Sequence, residues 1–380
     1  MNAVAERLSV IYFNFGDDSI NDLAWLVWQD NAMDADAEMA QTDALVCGHS
    51  FIGVWPDTDH SSGVRIDIEH PSQVTAFYAP GTRRNPLAVF KSFGIDGDGS
   101  LVDTPIGSAR IDVLITPDRV ETWLPGELAP LAEDNLLGIV PYVEVTPSPR
   151  TIGPPRSELH AAKTIQDRIN TTIYNRMVAT DFGAFRQVTA TGISLGRNVD
   201  GSYQPPFNVG ADRLLASENE NARFGVIPES TLGGYLAAVA ADVQHLAAIT
   251  QTPPHYLLGQ IANVSGDALK AAETGLVSKV SRRAAHIGEA WEQVMRLALG
   301  FLGNVGGSDV QAEVVWRDFE TRSEGELVDA LVKMRSLDVP LPYLWQRWGV
   351  SPQEAATWPT DPPPPPIPAA PTEPVTAPAA

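Results

Sequence analysis

Cysteine is nearly absent: Cys47 is the one thiol in 380 residues. A single chain therefore forms no internal disulfide and no cysteine zinc cage, and a reducing compartment suits it. Long apolar runs are missing too. No stretch approaches the roughly 20 residues of a membrane span, and no basic-then-apolar leader pattern stands near Met1, so synthesis in a cytoplasm without membrane association is expected. Bases are scarce, with 26 Lys and Arg against 47 Asp and Glu and a formal net charge of -21. That balance argues against a surface that grips phosphate. It fits an acidic enzyme, or a wall past which nucleic acid slides because repulsion prevents sticking.

Catalytic signatures are also lacking. There is no P-loop, no G-x-G-x-x-G after a strand and no G-x-S-x-G elbow. His49, His60 and His70 recur without the short spacing that holds a metal. Asp96, Asp98, Ser100 and Asp103 resemble half a calcium loop, but Gly107 stands where the bidentate acid belongs, so a β-turn is the reading. No catalytic residue, metal or cofactor is expected, although the many carboxylates leave an acid/base pair open.

What is present is one dominant helical signal. From Ser265 to Gly303 no proline intervenes, and Leu269, Leu276, Val280, Ile287, Trp291, Val294 and Met295 recur at spacings of three, four and seven. Lys270, Glu273, Lys279, Arg282, Arg283 and Glu289 fall between them, which predicts one apolar and one charged face. Such a helix runs on the order of 55 Å. Earlier, residues 2–13 read as a short helix entering a strand, and 20–28 as a second helix. Alternating segments between Ala44 and Val145 predict a largely antiparallel lobe, giving an α+β class.

After the turn-rich 147–155, Ser157 is placed to cap a helix of about 24 residues carrying Leu159, Ile165, Ile169, Ile173 and Met177. Strand-like pieces at 186–195 and 222–227 flank a Gly-Pro-Asn-rich middle with too little apolar sequence for its own core. A third helix spans 229–249. Pro253, Pro254, Gly259 and Asn263 then enforce a loop with a polar tip at Gln260 and Asn263. A strand near 309–318, helices in 321–358 and a Pro, Ala and Thr tail at 359–380 complete the chain, the tail reading as solvated polyproline. Lys163, Arg168, Arg176, Arg186, Lys270, Lys279, Arg282 and Arg283 put the central bases on helices, as solvated faces or as contacts to nucleic acid or to acids of adjacent subunits.

The order of these elements, with IQDRINTTIYNRMVATDFGAFRQVTATG at 165–192 and TPPHYLLGQIANVSGDALKAAETGLVSKVSRRAAHIGEAWEQVMRLAL at 252–299, resembles the portal proteins of tailed bacteriophages, in the branch common in phages of actinobacteria. Two more segments, DLAWLVWQDNAMDADAEMAQTDALVCGHSFIGVWPD and RRNPLAVFKSF, look like the wing of that family. The resemblance spans about 1–358. It implies a portal fold: a wing in 1–156, stem helices at 157–181 and 229–250, an α/β clip at 182–228, a tunnel loop at 251–264, a long wing helix and return strand in 265–320, and a helical crown at 321–358 ahead of the 359–380 tail. It implies a ring, usually of twelve subunits, at one capsid vertex, which conducts double-stranded DNA during packaging and ejection and docks the terminase large subunit, a head–tail adaptor and the major capsid protein.

On this resemblance His255, Gln260 and Asn263 belong to the loop that narrows the channel. Lys163, Arg168, Arg176, Lys270, Arg282 and Arg283 become candidates for channel or inter-subunit contacts. Members of the family carry additional residues ahead of the position matching Met1, which leaves the outer wing open. A minor capsid or adaptor protein and a soluble acidic hydrolase are the alternatives. The proline-interrupted loop running into one continuous long helix favours the portal.

Overall fold

The computed structural model describes residues 2–95, 101–102, 109–184, 188–192, 197–202, 219–226, 232–258, 266–303, 311–320, 324–350, 355 and 357–358. Its chain divides into two compact units, Met1–Glu158 with Leu276–Ala380, and the inserted Leu159–Gly275.

The larger unit begins with α1 (Asn2–Ala5) and β1 (Val10–Asn14). Asp17 then caps α2 (Asp18–Asp30) by accepting from the backbone N–H groups of Ser19 and Ile20. Helix α2 stops at Asn31, whose buried amide donates to Val27 O and Val64 O and accepts from Ile66 N at 2.8 Å, tying the helix end to the sheet. Helix α3 (Met33–Cys47) follows directly. It overruns the expected start of the strand lobe at Ala44, because its inward face is made mostly of alanines that give little periodic signal.

Three sheets follow, all antiparallel. Strands β2 (Ser50–Pro56), β3 (Val64–Glu69) and β10 (Tyr142–Val145) form one, in the order β10-β2-β3. The second runs β4 (Val74–Phe77), β5 (Ala88–Ile95), β7 (Ala109–Ile115), β8 (Arg119–Trp123) and β9 (Leu131–Asp134), with β6 (Leu101–Val102) on β5. In the third, β1 pairs with β13 (Glu313–Trp316), so the expected return strand closes on the chain's first strand, Val10 opposite Trp316 and Asn14 opposite Glu313.

The core of this unit lies under α7 (Gly266–Phe301), the dominant helix of the sequence. Leu276, Val280, Ile287, Trp291, Val294 and Met295 are fully buried, as their spacing predicts. Trp291 meets Trp28 edge to face at a centroid distance of 5.0 Å, and Trp28 meets Phe13 at 5.3 Å. Such pairs add about 1 kcal/mol beyond their burial. The helices α8 (Glu324–Arg335) and α9 (Leu341–Trp348) pack on each other near the end of the described chain.

The inserted unit is a helical hairpin, α4 (Lys163–Ala184) and α5 (Gly233–Thr250), with the two-stranded β11 (Val188–Thr191) and β12 (Arg223–Val226) between them in sequence. The one-turn helix α6 (Pro254–Leu258) lies inside the segment expected to be loop, with Pro254 at a first helical position that spends no backbone N–H. Helix α4 begins six residues after Ser157, whose hydroxyl donates to Val46 O instead of capping.

Candidate functional site

Three places carry the arrangement's chemistry. The first is where the chain leaves the larger unit. Gly48 ends α3 at φ 101°, and a Cβ there would stand 3.0 Å from Pro155 O and Ser157 N, so glycine alone lets residues 155–157 cross the helix end. The crossing brings Glu158 N to Leu45 O at 3.0 Å. It sets the Glu158 carboxylate against α7, with Lys279 Nζ at 2.8 Å and Arg283 Nε at 2.5 Å. The Arg283 contact is ionic, since its N–H does not align with the oxygen. Side-chain exposures of 8% for Glu158, 7% for Lys279 and 19% for Arg283 make this a buried cluster.

Burial alone pushes the Glu158 carboxyl up, but the two cations outweigh it and hold it below its ordinary value. Lys279 and Arg283 therefore leave the solvated charged face on which their spacing placed them. The inserted unit begins at the residue after Glu158 and ends at Gly275, one turn before Lys279. Both ends of the insertion are thus fastened at one cluster.

The second place is the α4–α5 hairpin. Ile165, Ile169 and Ala247 are buried between the helices, and Arg168 grips the mostly buried Asp242 with two bonds, Nε to Oδ2 at 2.9 Å and Nη2 to Oδ1 at 2.6 Å. Outward, the hairpin carries large apolar side chains among polar ones: Tyr174 is 65% exposed, Met177 59%, Leu236 55% and Ile249 52%, beside exposed Gln166, Asp167, Asn170 and Asn175. Ala237, Ala238, Ala240, Ala241 and Ala248 are exposed between them. The expected stripe on α4 is thus split, with Ile165 and Ile169 inward and Met177 outward. Large apolar side chains left in water on a charged chain mark places for a neighbour to cover, and small residues allow close helix approach.

The third place is the connection from α5 to α7. Gln251 ends α5 in the left-handed conformation (φ 53°), its N–H returning to Ala247 O and Ala248 O. The His255 and Tyr256 rings lie tilted 4.7 Å apart on α6, and the Tyr256 hydroxyl donates to Glu273 of α7 at 3.1 Å. Gln260 and Asn263 lie outside the described residues, as do Asp96, Asp98, Ser100, Asp103 and Arg186. The side chain of Lys270 does too.

Among the remaining candidate bases, Lys163 is exposed at the start of α4 and Arg176 is half-buried on it. Arg282 is exposed on α7 and donates to Ser278 O at 3.4 Å. Arg168 and Arg283 are engaged by Asp242 and Glu158 of the same chain. Sequence reasoning missed both acids, because nothing in their local pattern separates them from the other carboxylates. Two of the three histidines of the strand lobe have partners: His49 Nδ1 is 2.8 Å from Glu144 Oε1 and His70 Nδ1 is 2.6 Å from Ser72 Oγ, whereas His60 Nδ1 stands 3.5 Å from Asp57 without a hydrogen bond among the described residues.

Comparison with known proteins adds to this geometry. Residues 10–358 match the family model described as phage portal protein, SPP1 Gp6-like. The portal protein of Mycobacterium phage D29 is 27% identical over 364 residues, covering 88% of this chain and 70% of its own. That of Mycobacterium phage L5 is 28% identical with the same coverage. Among solved structures, a chain in the neck of an empty GTA particle shares the fold with a TM-score of 0.51 at 13% identity, covering 92% of this chain and 87% of its own.

Proposed function

The chain belongs to the SPP1 Gp6-like family of phage portal proteins, and we propose that it works as one subunit of a ring of twelve that conducts double-stranded DNA through a capsid vertex. As a phage portal protein it is a virion component. The observation that carries the ring is the set of large apolar side chains left exposed on the α4–α5 hairpin. Around a cyclic axis each hairpin meets the next along the same heterologous contact, so no copy is left with Leu236, Ile249, Tyr174 and Met177 in water.

The conducting role follows from charge. DNA carries one phosphate per roughly 1.7 Å, and a wall with free bases would hold it. Here Arg168 and Arg283 are neutralised within the chain, and the net charge of -21 supports a repelling bore. The segment 251–264, with His255, Gln260 and Asn263, is assigned to the narrowest part, where uncharged groups make weak and replaceable contacts. Lys163, Arg176, Lys270 and Arg282 are assigned to contacts with phosphate or with acids of neighbouring subunits. The chain does no catalysis of its own; a terminase large subunit supplies the motor, a head–tail adaptor docks below and the major capsid protein surrounds the wing. The ring is made in the host cytoplasm.

Single-particle electron microscopy of the purified chain tests this reading. End-on views with twelvefold symmetry and an open centre are expected. Monomers or closed dimers at micromolar concentration would overturn it.

A further inference from the structure

The sheet that runs from β4 to β9 carries, at its two ends, features that its own unit does not use. At one end all four residues of β9 are exposed, and Leu128, Leu131 and Leu136 stand in water around it. Residues 124–139 hold the acids Glu127, Glu133 and Asp134 and no Lys or Arg. A free edge strand is a template for unwanted pairing, and charge of one sign keeps two such edges apart. This end is thus guarded against its own kind while its leucines still need cover.

At the other end the turn 78–87, between β4 and β5, holds Arg83 and Arg84 and no acid. The turn is fixed on α7: Asn85, at φ 56°, accepts from Gln293 Nε2 at 3.0 Å, and Arg84 Nη2 stands 3.1 Å from Glu289. Between turn and helix lies a cleft of about 520 Å³ lined by Arg83, Arg84, His286 and Arg296, with Leu297 beside them. Glu144 and Glu289 line it too, but Glu144 is held by His49 and Glu289 by Arg84. Arg83 is held by the neutral carbonyl of Gly153, which leaves its charge to an acid from elsewhere. The Arg84–Glu289 pair is exposed on both sides, so it is worth under about 1 kcal/mol and exchanges partners at little cost.

An acidic, leucine-bearing edge and a basic cleft at opposite ends of one sheet are what a head-to-tail contact requires, because such a contact repeats around an axis without being self-complementary. Four strand spacings of about 4.8 Å put the two ends about 19 Å apart, so the edge reaches a neighbour's cleft and not its own. We propose that the β8–β9 end of each subunit seats in the next subunit's cleft between the 78–87 turn and α7, Glu133 and Asp134 meeting Arg83 and Arg84 and a leucine covering Leu297. The contact rests on the ring of the proposed function and adds to it a second junction, in the larger unit, beside that of the helical hairpin.

The test uses the full chain with Cys47→Ser, which removes the single native thiol, and with Leu131→Cys and His286→Cys, one on each side of the contact. Rings verified by mass photometry are treated with a short bis-maleimide and run on a denaturing gel. The double variant should give a ladder that climbs past the dimer. Either single variant should stay monomeric, because each junction then holds one thiol. Glu133→Lys with Asp134→Lys should lower the ladder yield about fivefold at low ionic strength, and Arg84→Glu added to that pair should recover at least twofold. A ladder that ends at the dimer, rings of normal mass without a ladder, or a yield unmoved by the charge reversal would overturn the contact. Rings without a ladder leave the portal reading standing, whereas a chain that never assembles overturns both.

Discussion

Replacing Glu158 with Gln keeps its shape and removes its charge, and the consequence can be worked from the cluster it belongs to. Lys279, 7% exposed, is left without a counter-charge, and Arg283, 19% exposed, loses its partner but keeps some water. Removing one member of a buried ion pair costs about 3–5 kcal/mol. The amide still accepts one hydrogen bond and Arg283 is partly solvated, so about 3 kcal/mol is expected at pH 7, or a fall of about 1 M in the urea midpoint if the slope is near 3 kcal/mol/M.

Tryptophan fluorescence reads this unfolding, because Trp28 and Trp291 meet edge to face in the same core. Changing Lys279 to Met in the Glu158→Gln background removes the stranded cation and should restore most of the loss, giving a coupling of about 2 kcal/mol in a double-mutant cycle. The sign with pH is fixed. The folded carboxyl titrates below its ordinary value of 4.5, so its contribution is complete above that value and lost as pH falls through the folded pKa. The gap between wild type and Glu158→Gln should therefore close on acidification. A gap under about 1 kcal/mol at pH 7, or one that persists unchanged to strongly acidic pH, would refute the clamp.

Other substitutions probe the rest of the molecule. Gln41 on α3 is 1% exposed and neither atom of its amide has a partner among the described residues; Gln41→Met should stabilise the chain by about 1 kcal/mol by calorimetry, and a loss of stability would show that the amide is satisfied by bound water. Leu236→Glu on the exposed face of α5 should abolish ring formation in mass photometry while leaving the circular dichroism of the single chain unchanged; rings of normal mass would remove the hairpin from the interface. Changing Gln260 or Asn263 to Glu should reduce DNA packaging with ring assembly intact, and failure of assembly would take that segment out of the bore.

Much of the architecture was written locally. The unbroken three-and-four spacing from Leu276 to Met295 specified α7, because in a helix that spacing is one face, and that face is the one buried. Alternation specified most of the strands, and Pro253 with Pro254 specified the break after α5. Helix α3 was less legible, since Ala37, Ala40 and Ala44 pack by smallness and leave no hydrophobic signature.

What the sequence determined by itself was the class, the order of elements and the acidity, all of which are properties of neighbouring residues or of sums. Only the tertiary structure decided which charges are partnered: Lys279 and Arg283 look like surface bases until the turn at Gly48 carries Glu158 from more than a hundred residues away to lie between them. It alone decided, too, that Met177 and Leu236 face outward while Ile165 and Ile169 face inward. Periodicity marks an apolar face but does not say which neighbour, within the chain or beyond it, will cover it.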